Sequence, residues 1–372
     1  MGLSGGVDSA VSAALLQQQG YDVTGVFIRI ALPGYPCSAG EDKISAQRVA
    51  AHLGIPFIEI DLSKEYEQEV FAYTLAELSR GRTPNPDTMC NQKIKFGAFY
   101  AWARARGAQM VATGHYAQSA PASSNVSGYG IFSAKKIPEV LGSSTSKPPP
   151  TLLLAGADPE KDQSYFLWMV PQDVLQYTFF PVGHLHKPQV RELAKKFGLP
   201  NAARKDSQGL CFLGSTSISD MIERELSPKP GNVLNEAGEV VGTHSGVALY
   251  TEGQRHGFEL LAQNPHSEPY FVIAKDIHTN TITVSHERFP THATKTHVEL
   301  VDTNWIGSLK PGSYMARFRY RQTLIPAHLE VKNNTPTVTL LEPHYIPSGQ
   351  SLVLYMNERC LGGGIVDNST LL

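Results

Sequence analysis

Three stretches of this sequence carry residue types whose spacing could support chemistry. The first is SGGVDS at 4–9, followed at once by a run of strong helix formers. Gly5 and Gly6 let the backbone approach an anion with no Cβ in the way, and Ser4 and Ser9 add hydroxyls. The helix start adds free amides and the positive end of a dipole. No Gly-Lys-Ser/Thr follows, so a hydrolytic Walker loop is not indicated. Asp8 would repel phosphate unless a cation such as Mg²⁺ bridges them. The second stretch is GRTPNPDTMCNQKIKFG, 81–97, where Pro84 and Pro86 stiffen the chain against helix and Asn85 and Asp87 offer polar groups. Cys90 is expected at or just before the next helix, where the amide dipoles, Lys93 and Lys95 would all favour thiolate. The third, KDSQGLCFLG at 205–214, sets Cys211 after a glycine turn near Lys205. An isolated cysteine is most simply a small buried hydrophobe. Both of these sit in polar, turn-rich loops, which weakens that reading.

The elements that must position these groups follow from pattern. Residues 9–19 read as a helix closed by Gly20, and VTGVFIRI (23–30) as a buried strand. A helix at 42–53, the strand FIEI (57–60), helices near 64–79 and 93–106, and the strand MVAT (110–113) lead to Gly114. Strands alternating with helices over short loops argue for an α/β unit with a parallel sheet covered on both faces. Residues 119–150 are rich in Ser, Gly and Pro and read as a solvated insertion. Helical patterns resume around 161–177 and 187–197. From about 230 the chain turns to short strands punctuated by Gly, Pro and Asn, which suggests small β-barrels. Three domains are expected: 1–212, carrying the anion loop and both cysteine stretches; 213–290, small and β-rich; and 291–372, a C-terminal β-barrel.

Composition narrows the function classes. At 372 residues and 41% hydrophobic content the chain has ample core for two or three domains and is not disordered. No apolar run approaches the roughly 20 residues of a membrane span, and the start shows no presequence, so a cytoplasmic monomer is expected. Four cysteines without CxxC spacing exclude a disulfide scaffold or zinc knuckle, and Cys37 and Cys360 read as buried or incidental. The thirteen histidines show no HxxH or HExxH spacing, so no protein-ligated metal is expected, although His115 is the best placed. With a net charge of −2, any nucleic-acid contact must be local. RFRYRQ supplies one such patch, since Arg317, Arg319 and Arg321 would share one face of a strand. Arg80, Arg82, Lys93, Lys95, Arg204 and Lys205 add charge beside the cysteine loops.

SGGVDS resembles the pyrophosphatase loop of the N-type ATP pyrophosphatases, which adenylate a carbonyl oxygen. Adding TPNPDTMCNQKIKFG, ATGHY (112–116), KDQSYFL (161–167), FPVG (180–183), KDSQGLCFLG, GQRHGF (253–258), RYRQT (319–323) and CLGGGI (360–365), nearly the whole chain resembles the tRNA-specific 2-thiouridylases. The resemblance implies a Rossmann-like ATP-pyrophosphatase domain, a β-rich central domain and a C-terminal barrel. It implies ATP-dependent 2-thiolation of the wobble uridine in a tRNA anticodon loop, with Mg²⁺ carried by ATP and a sulfur-relay or cysteine desulfurase protein as donor. Gly2, Leu3, Ser4, Gly5, Gly6, Val7, Asp8 and Ser9, with Ile28 and Gly114, would hold ATP. Asn85, Pro86 and Asp87 would meet the target base, with Asp87 as general acid or base. Lys161, Asp162, Gln163, Arg319 and Tyr320 would touch tRNA. Cys211 would carry a persulfide, and Cys90 would be the second catalytic cysteine, closing a disulfide with it.

The family also has a hydrophobic strand ahead of the loop. Met1-Gly2-Leu3 leaves no room for one, so that strand is expected to be missing. Two other classes remain open at this point. One is an amidotransferase or ligase of the same superfamily, which needs neither cysteine. The other is a tRNA-binding protein impaired by its N-terminus.

Overall fold

A computed structural model describes residues 1–35, 39–122, 150–206, 211–214, 216–261, 268–289, 294–332 and 335–371. Cys37 and most of the expected insertion, 123–149, lie outside the described residues. In the first unit, strand β1 (Gly25–Arg29) pairs in parallel with β2 (Phe57–Asp61). Its apolar run reflects burial on both faces. Val26 and Ile28 pack into one core with Tyr66 and Ile94, while Phe27 faces a second core with Leu3, Val11 and Val49. Helix Val7–Gln18 and helix Ala39–Leu53 contribute to that second core.

Where the first strand is expected to be missing, residues 1–3 form an isolated bridge rather than a strand. Met1–Leu3 occupies the slot between β1 and β3 (Val111–Ala112). The Leu3 amide donates to the Val26 carbonyl, Val26 donates back to Met1, and the Gly2 amide donates to Ala112.

Two further expectations change. Pro86 does not forbid helix. It is the first helical residue, where its missing N–H costs nothing, and the Asn85 side chain caps the Thr88 amide. Helix then runs without a break from 86 to 105 through a π-helical stretch at Cys90–Ala98, so Cys90 lies inside the helix. Around 161–177 the expected helix reduces to two single turns, Ser164–Leu167 and Gln172–Leu175. Pro171 precedes the second and separates them.

Part of the expected insertion is sheet. Strands β4 (Ala117–Pro121) and β5 (Thr151–Ala155) form an antiparallel hairpin. Strand β6 (Thr178–Phe179) pairs in parallel with β3. Among the described residues the central unit has five strands: β7 (Gly231–Leu234), β8 (Val240–His244), β9 (Phe258–Leu260), β10 (Phe271–Asp276) and β11 (Thr281–Ser285), ordered β10-β11-β7-β8-β9. The last unit comprises β12 (Thr296–Trp305), β13 (Gly312–Arg317), β14 (Ile325–Lys332), β15 (Thr335–Leu340), β16 (Ser351–Met356) and β17 (Arg359–Leu371). Pairing of β12 with both β15 and β17 closes these six into a barrel around Val298, Leu329, Val338, Leu354 and Val366. The β4–β5 hairpin extends the barrel sheet through β17, so the first unit donates two strands to the last. Among the described residues, no helix is long and apolar enough to cross a membrane.

One ion pair joins the barrel to the first unit. Arg317, the last residue of β13, donates to Asp162 at 2.6 Å, and their side chains are 8% and 3% exposed. The Gly156 and Ser164 amides and the Ser164 hydroxyl also donate to Asp162. The Arg317 guanidinium lies 4.5 Å from the Tyr355 ring centroid. This corrects the expectation of three arginines sharing one strand face. The strand ends at Arg317, which is buried, and Arg321 turns away at φ 61°. Asp162 is likewise enclosed and engaged in this joint.

Asp162→Ala would leave a buried guanidinium without its carboxylate. It is expected to cost about 3–5 kcal/mol, measured as a drop in the urea midpoint of unfolding. A loss under about 1 kcal/mol would mean water reaches Arg317 and the joint is not structural.

Candidate active site

The anion loop is built as its residues demand. Gly5 has φ +83°, and a Cβ there would run into the Asp42 carbonyl oxygen. Its own carbonyl is held by Ser45, Asn201 and Arg204, which turns the loop amides outward. Gly6 sits at the N-cap of helix Val7–Gln18 with no side chain closing the helix end, so amides there remain available for an anion. Gly114 lies against Ser9, where a Cβ would strike the Ser9 amide nitrogen and fill the cradle.

This loop forms one end of a cleft of about 780 Å³. Gly2, Leu3, Ser4, Gly6, Val7, Asp8, Ser9, Ile28 and Gly114 line it, as do Asp87, Lys161, Gln163, Cys211 and Tyr320. Gly5, Pro86, Cys90, Asp162 and Arg319 do not, although each adjoins a residue that does, and Asn85 lies one residue further out. Gln163 accepts from the Tyr116 amide, and Phe166 and Tyr320 bring their rings to 4.9 Å. Tyr320 and Arg321 thus carry the barrel into the cleft wall. Arg319 is exposed beyond it.

Asp8 does not confront the anion site alone. Lys187 donates to both its oxygens, at 2.7 and 2.9 Å, and the Tyr116 hydroxyl donates at 2.8 Å. Lys187 also pairs with Asp206, which is held by Lys161 and Arg191 as well. Burial alone would raise the Asp206 carboxyl, but Lys161 and Lys187 hold it down at about 2. Sequence reasoning missed Lys187. Its signal was a cation in the first turn of helix Lys187–Lys196, where the dipole disfavours positive charge.

The two cysteines meet at the other end of the cleft. Cys90 donates its thiol to Cys211 Sγ at 3.4 Å, and both are free. Cys90 is fully enclosed, whereas Cys211 is half-buried and lines the cleft. Their acidities diverge. Burial pushes the Cys90 thiol well up, contrary to the expected thiolate at a helix start. The Cys90 hydrogen bond, reinforced by the Lys95 ammonium, brings Cys211 down to about 7 against its own burial. Of the two lysines expected to help, only Lys95 does so; Lys93 pairs with Glu69. Burial would lower the Lys95 ammonium, but Cys211, Cys90 and Asp87 raise it instead.

Surrounding groups complete this charge pattern. The Asp87 carboxyl is raised by burial, and it accepts the Cys211 amide at 3.4 Å. Tyr66 fixes the Cys211 carbonyl at 2.9 Å. His115 is held neutral by burial and by Lys95, with Nδ1 on Thr113 at 2.8 Å. Among the described residues no group of three His, Cys, Asp or Glu side chains could hold a metal.

Cys211 alkylation by iodoacetamide should rise with pH through about 7 and level off above it, because thiolate is the reacting form. Lys95→Met should move the midpoint up toward the ordinary thiol value of about 8.5. Peptide mass spectrometry across a pH series measures both, and an unmoved midpoint would remove Lys95 from this account.

Family models described as a tRNA methyl transferase HUP domain, a tRNA methyl transferase PRC-barrel domain and an aminomethyltransferase beta-barrel domain match residues 1–215, 219–286 and 295–366. The chain is 39% identical to the tRNA-specific 2-thiouridylase of Enterococcus faecalis, over 99% of this chain and 95% of that one. It is 40% identical to the enzyme of that name from Nitrosomonas eutropha, over 99% and 98% of the two chains. Against the one from Thiobacillus denitrificans it is 41% identical, over 98% of each. With likeness covering 98–99% of the chain and family models matching all three units, this chain belongs to the tRNA-specific 2-thiouridylase family.

Proposed function

We propose that this chain is an ATP-dependent sulfurtransferase that converts the wobble uridine of tRNA to 2-thiouridine. The observation that carries the reading is the pair of facing sulfurs, 3.4 Å apart, in a cleft that begins at an anion loop. An ammonia-using ligase of the same superfamily would need the loop but not the sulfurs, and a passive tRNA binder would need neither.

The chemistry requires ATP as co-substrate, because the C2 oxygen of uracil is a poor leaving group until it is adenylated. The loop amides and Ser4 and Ser9 would hold the phosphates, with Ile28 and Gly114 beside the nucleotide. Lys187 would help neutralise the pyrophosphate as it departs, and Mg²⁺ would arrive with ATP. Cys211 would carry the incoming sulfur as a persulfide: it is the sulfur open to the cleft and the one poised as thiolate. The terminal sulfur bonds to C2, and AMP leaves. Cys90 then attacks Cys211 Sγ, the S–S bond breaks toward the base, and 2-thiouridine departs. A Cys90–Cys211 disulfide remains for a two-electron reductant. Asp87, with its raised carboxyl, would take the Cys90 proton.

Tyr320 and Lys161 in the cleft wall, with Arg319 outside it, would meet the anticodon loop, while Asn85 and Pro86 shape the turn that presents Asp87. Gln163, fixed on Tyr116, would hold that wall, and Asp162 would contribute through its joint with Arg317. The half-buried Cys211 would be reached by a persulfide-bearing donor protein.

Incubation with tRNA, ATP, Mg²⁺ and a sulfide source should yield 2-thiouridine by nucleoside mass spectrometry. Pyrophosphate without thiolation would favour the ligase, and tRNA binding with no turnover the binder. Cys90→Ser and Cys211→Ser should each abolish thiolation while ATP binding persists; near-native product from either would end the two-cysteine scheme. Lys187→Ala should weaken ATP binding roughly tenfold or more, because it removes a charge-assisted contact and leaves Asp8 uncompensated. Calorimetric titration with ATP checks this, and unchanged affinity would place Lys187 outside the phosphate site.

A further inference from the structure

Asn91 lies four residues from Asp87 and four from Lys95 on one helix, and all three line the cleft. The residue is 3% exposed. Its Nδ2 donates to the Phe166 carbonyl at 3.0 Å. That bond sets the amide, since the opposite orientation would place oxygen against oxygen. Oδ1 is then closed to water and has no hydrogen-bond partner among the described residues. Several buried polar atoms in the molecule share that condition, but Asn91 is the one such residue that lines the cleft. A buried acceptor left unpaired is costly, and its place beside Asp87, Lys95 and Cys211 calls for a donor brought by the substrate, which reaches Oδ1 by displacing the groups that cover it.

The donor must belong to a flat group that fits near the Phe166 and Tyr320 rings and stands next to the atom attacked by sulfur. On uracil, N3–H is the only donor of the pairing edge, and N3 is bonded to C2. On cytosine the same position is an acceptor and would face the Asn91 oxygen lone pair to lone pair. Resting on the tRNA-uridine reading above, we infer that Asn91 Oδ1 accepts the N3–H of the flipped target uracil. It thereby selects uridine over cytidine and sets C2 toward Cys211.

The contact also suits the reaction. Forming the O2–phosphorus bond as pyrophosphate leaves, with N3 still protonated, puts positive charge on the ring, which makes C2 more electrophilic. The terminal persulfide sulfur then bonds to C2 and the C2–O2 bond breaks as AMP leaves; once Cys90 attacks Cys211 Sγ and the S–S pair passes to the C2-bound sulfur, the neutral product again carries N3–H. A proton held between N3 and Asn91 need not leave during the exchange.

The test uses the full chain with tRNA bearing either uridine or 3-deazauridine, in which a C–H replaces N3–H, at the target position. Without ATP, the native chain should bind the 3-deazauridine tRNA more weakly than the uridine tRNA. Asn91→Ala should bind the two alike and retain native ATP affinity. With uridine tRNA and ATP, the same variant should lose roughly ten- to hundredfold in kcat/KM for 2-thiouridine formation. Equal binding of both tRNAs by the native chain overturns the inference even if the variant does not fold. Multiplying losses from base and side chain, or a native kcat/KM in Asn91→Ala, overturn it as well. A native chain that forms no 2-thiouridine overturns the underlying reading and this inference together. Normal thiolation without an N3–H preference overturns the inference alone.

Discussion

The buried pair of Arg317 and Asp162 is the constraint from which the cleft follows. A guanidinium and a carboxylate exposed by 8% and 3% cannot be left unpaired, so the barrel edge and the turn after β5 must stay together. Asp162 is further satisfied by Gly156 and Ser164, which locks residues 156–164 into one conformation. Lys161 and Gln163, on either side of the aspartate, are thereby turned into the cleft. Two residues past Arg317 the chain has left its strand, which delivers Tyr320 and Arg321 to the opposite wall. Tyr165 adds to the same joint, its hydroxyl lying 2.9 Å from the Phe318 carbonyl and 3.1 Å from that of Ser351. The barrel therefore completes the cleft of the first unit, and the hairpin β4–β5 makes the exchange mutual.

Within the cleft, charge is arranged in two clusters. Near the loop, Lys187 is shared between Asp8 and Asp206, and Lys161 pairs with Asp206, a balance that phosphate oxygens can enter by displacing carboxylates. Near the cysteines, Lys95 is shared among Cys211, Cys90 and Asp87. The second cluster works because His115, the neighbour of Lys95 at 3.5 Å, stays neutral and leaves the ammonium to the sulfur. A chain of net charge −2 can thus present cations where anions and thiolates must be held.

Much of this was legible in the primary structure because the features concerned are local. Gly5, Gly6 and the helix after them define an anion loop by backbone freedom and dipole alone. The alternation of strand and helix up to Gly114 implies a parallel sheet, and the short strands after 230 imply barrels. Local rules failed where tertiary packing overrode them. Pro86 starts a helix because Asn85 can cap it, and residues 1–3 bridge β1 and β3 through three backbone hydrogen bonds. Arg317 looked like a surface residue because nothing within its own strand reveals Asp162, 155 positions away.

The sequence by itself determined which groups could react: a phosphate loop, two cysteines, a carboxylate and the modules that carry them. Only the tertiary structure decided how they react. It made Cys90 the hydrogen-bond donor and lowered the Cys211 thiol, gave Lys95 rather than Lys93 to the sulfurs, set Lys187 on Asp8 and left Asn91 with an unpaired buried acceptor. The reason is physical. Acidity and hydrogen-bond satisfaction depend on burial and on distances of a few ångströms, and Cys90 and Cys211, 121 positions apart along the chain, acquire theirs only when the fold closes.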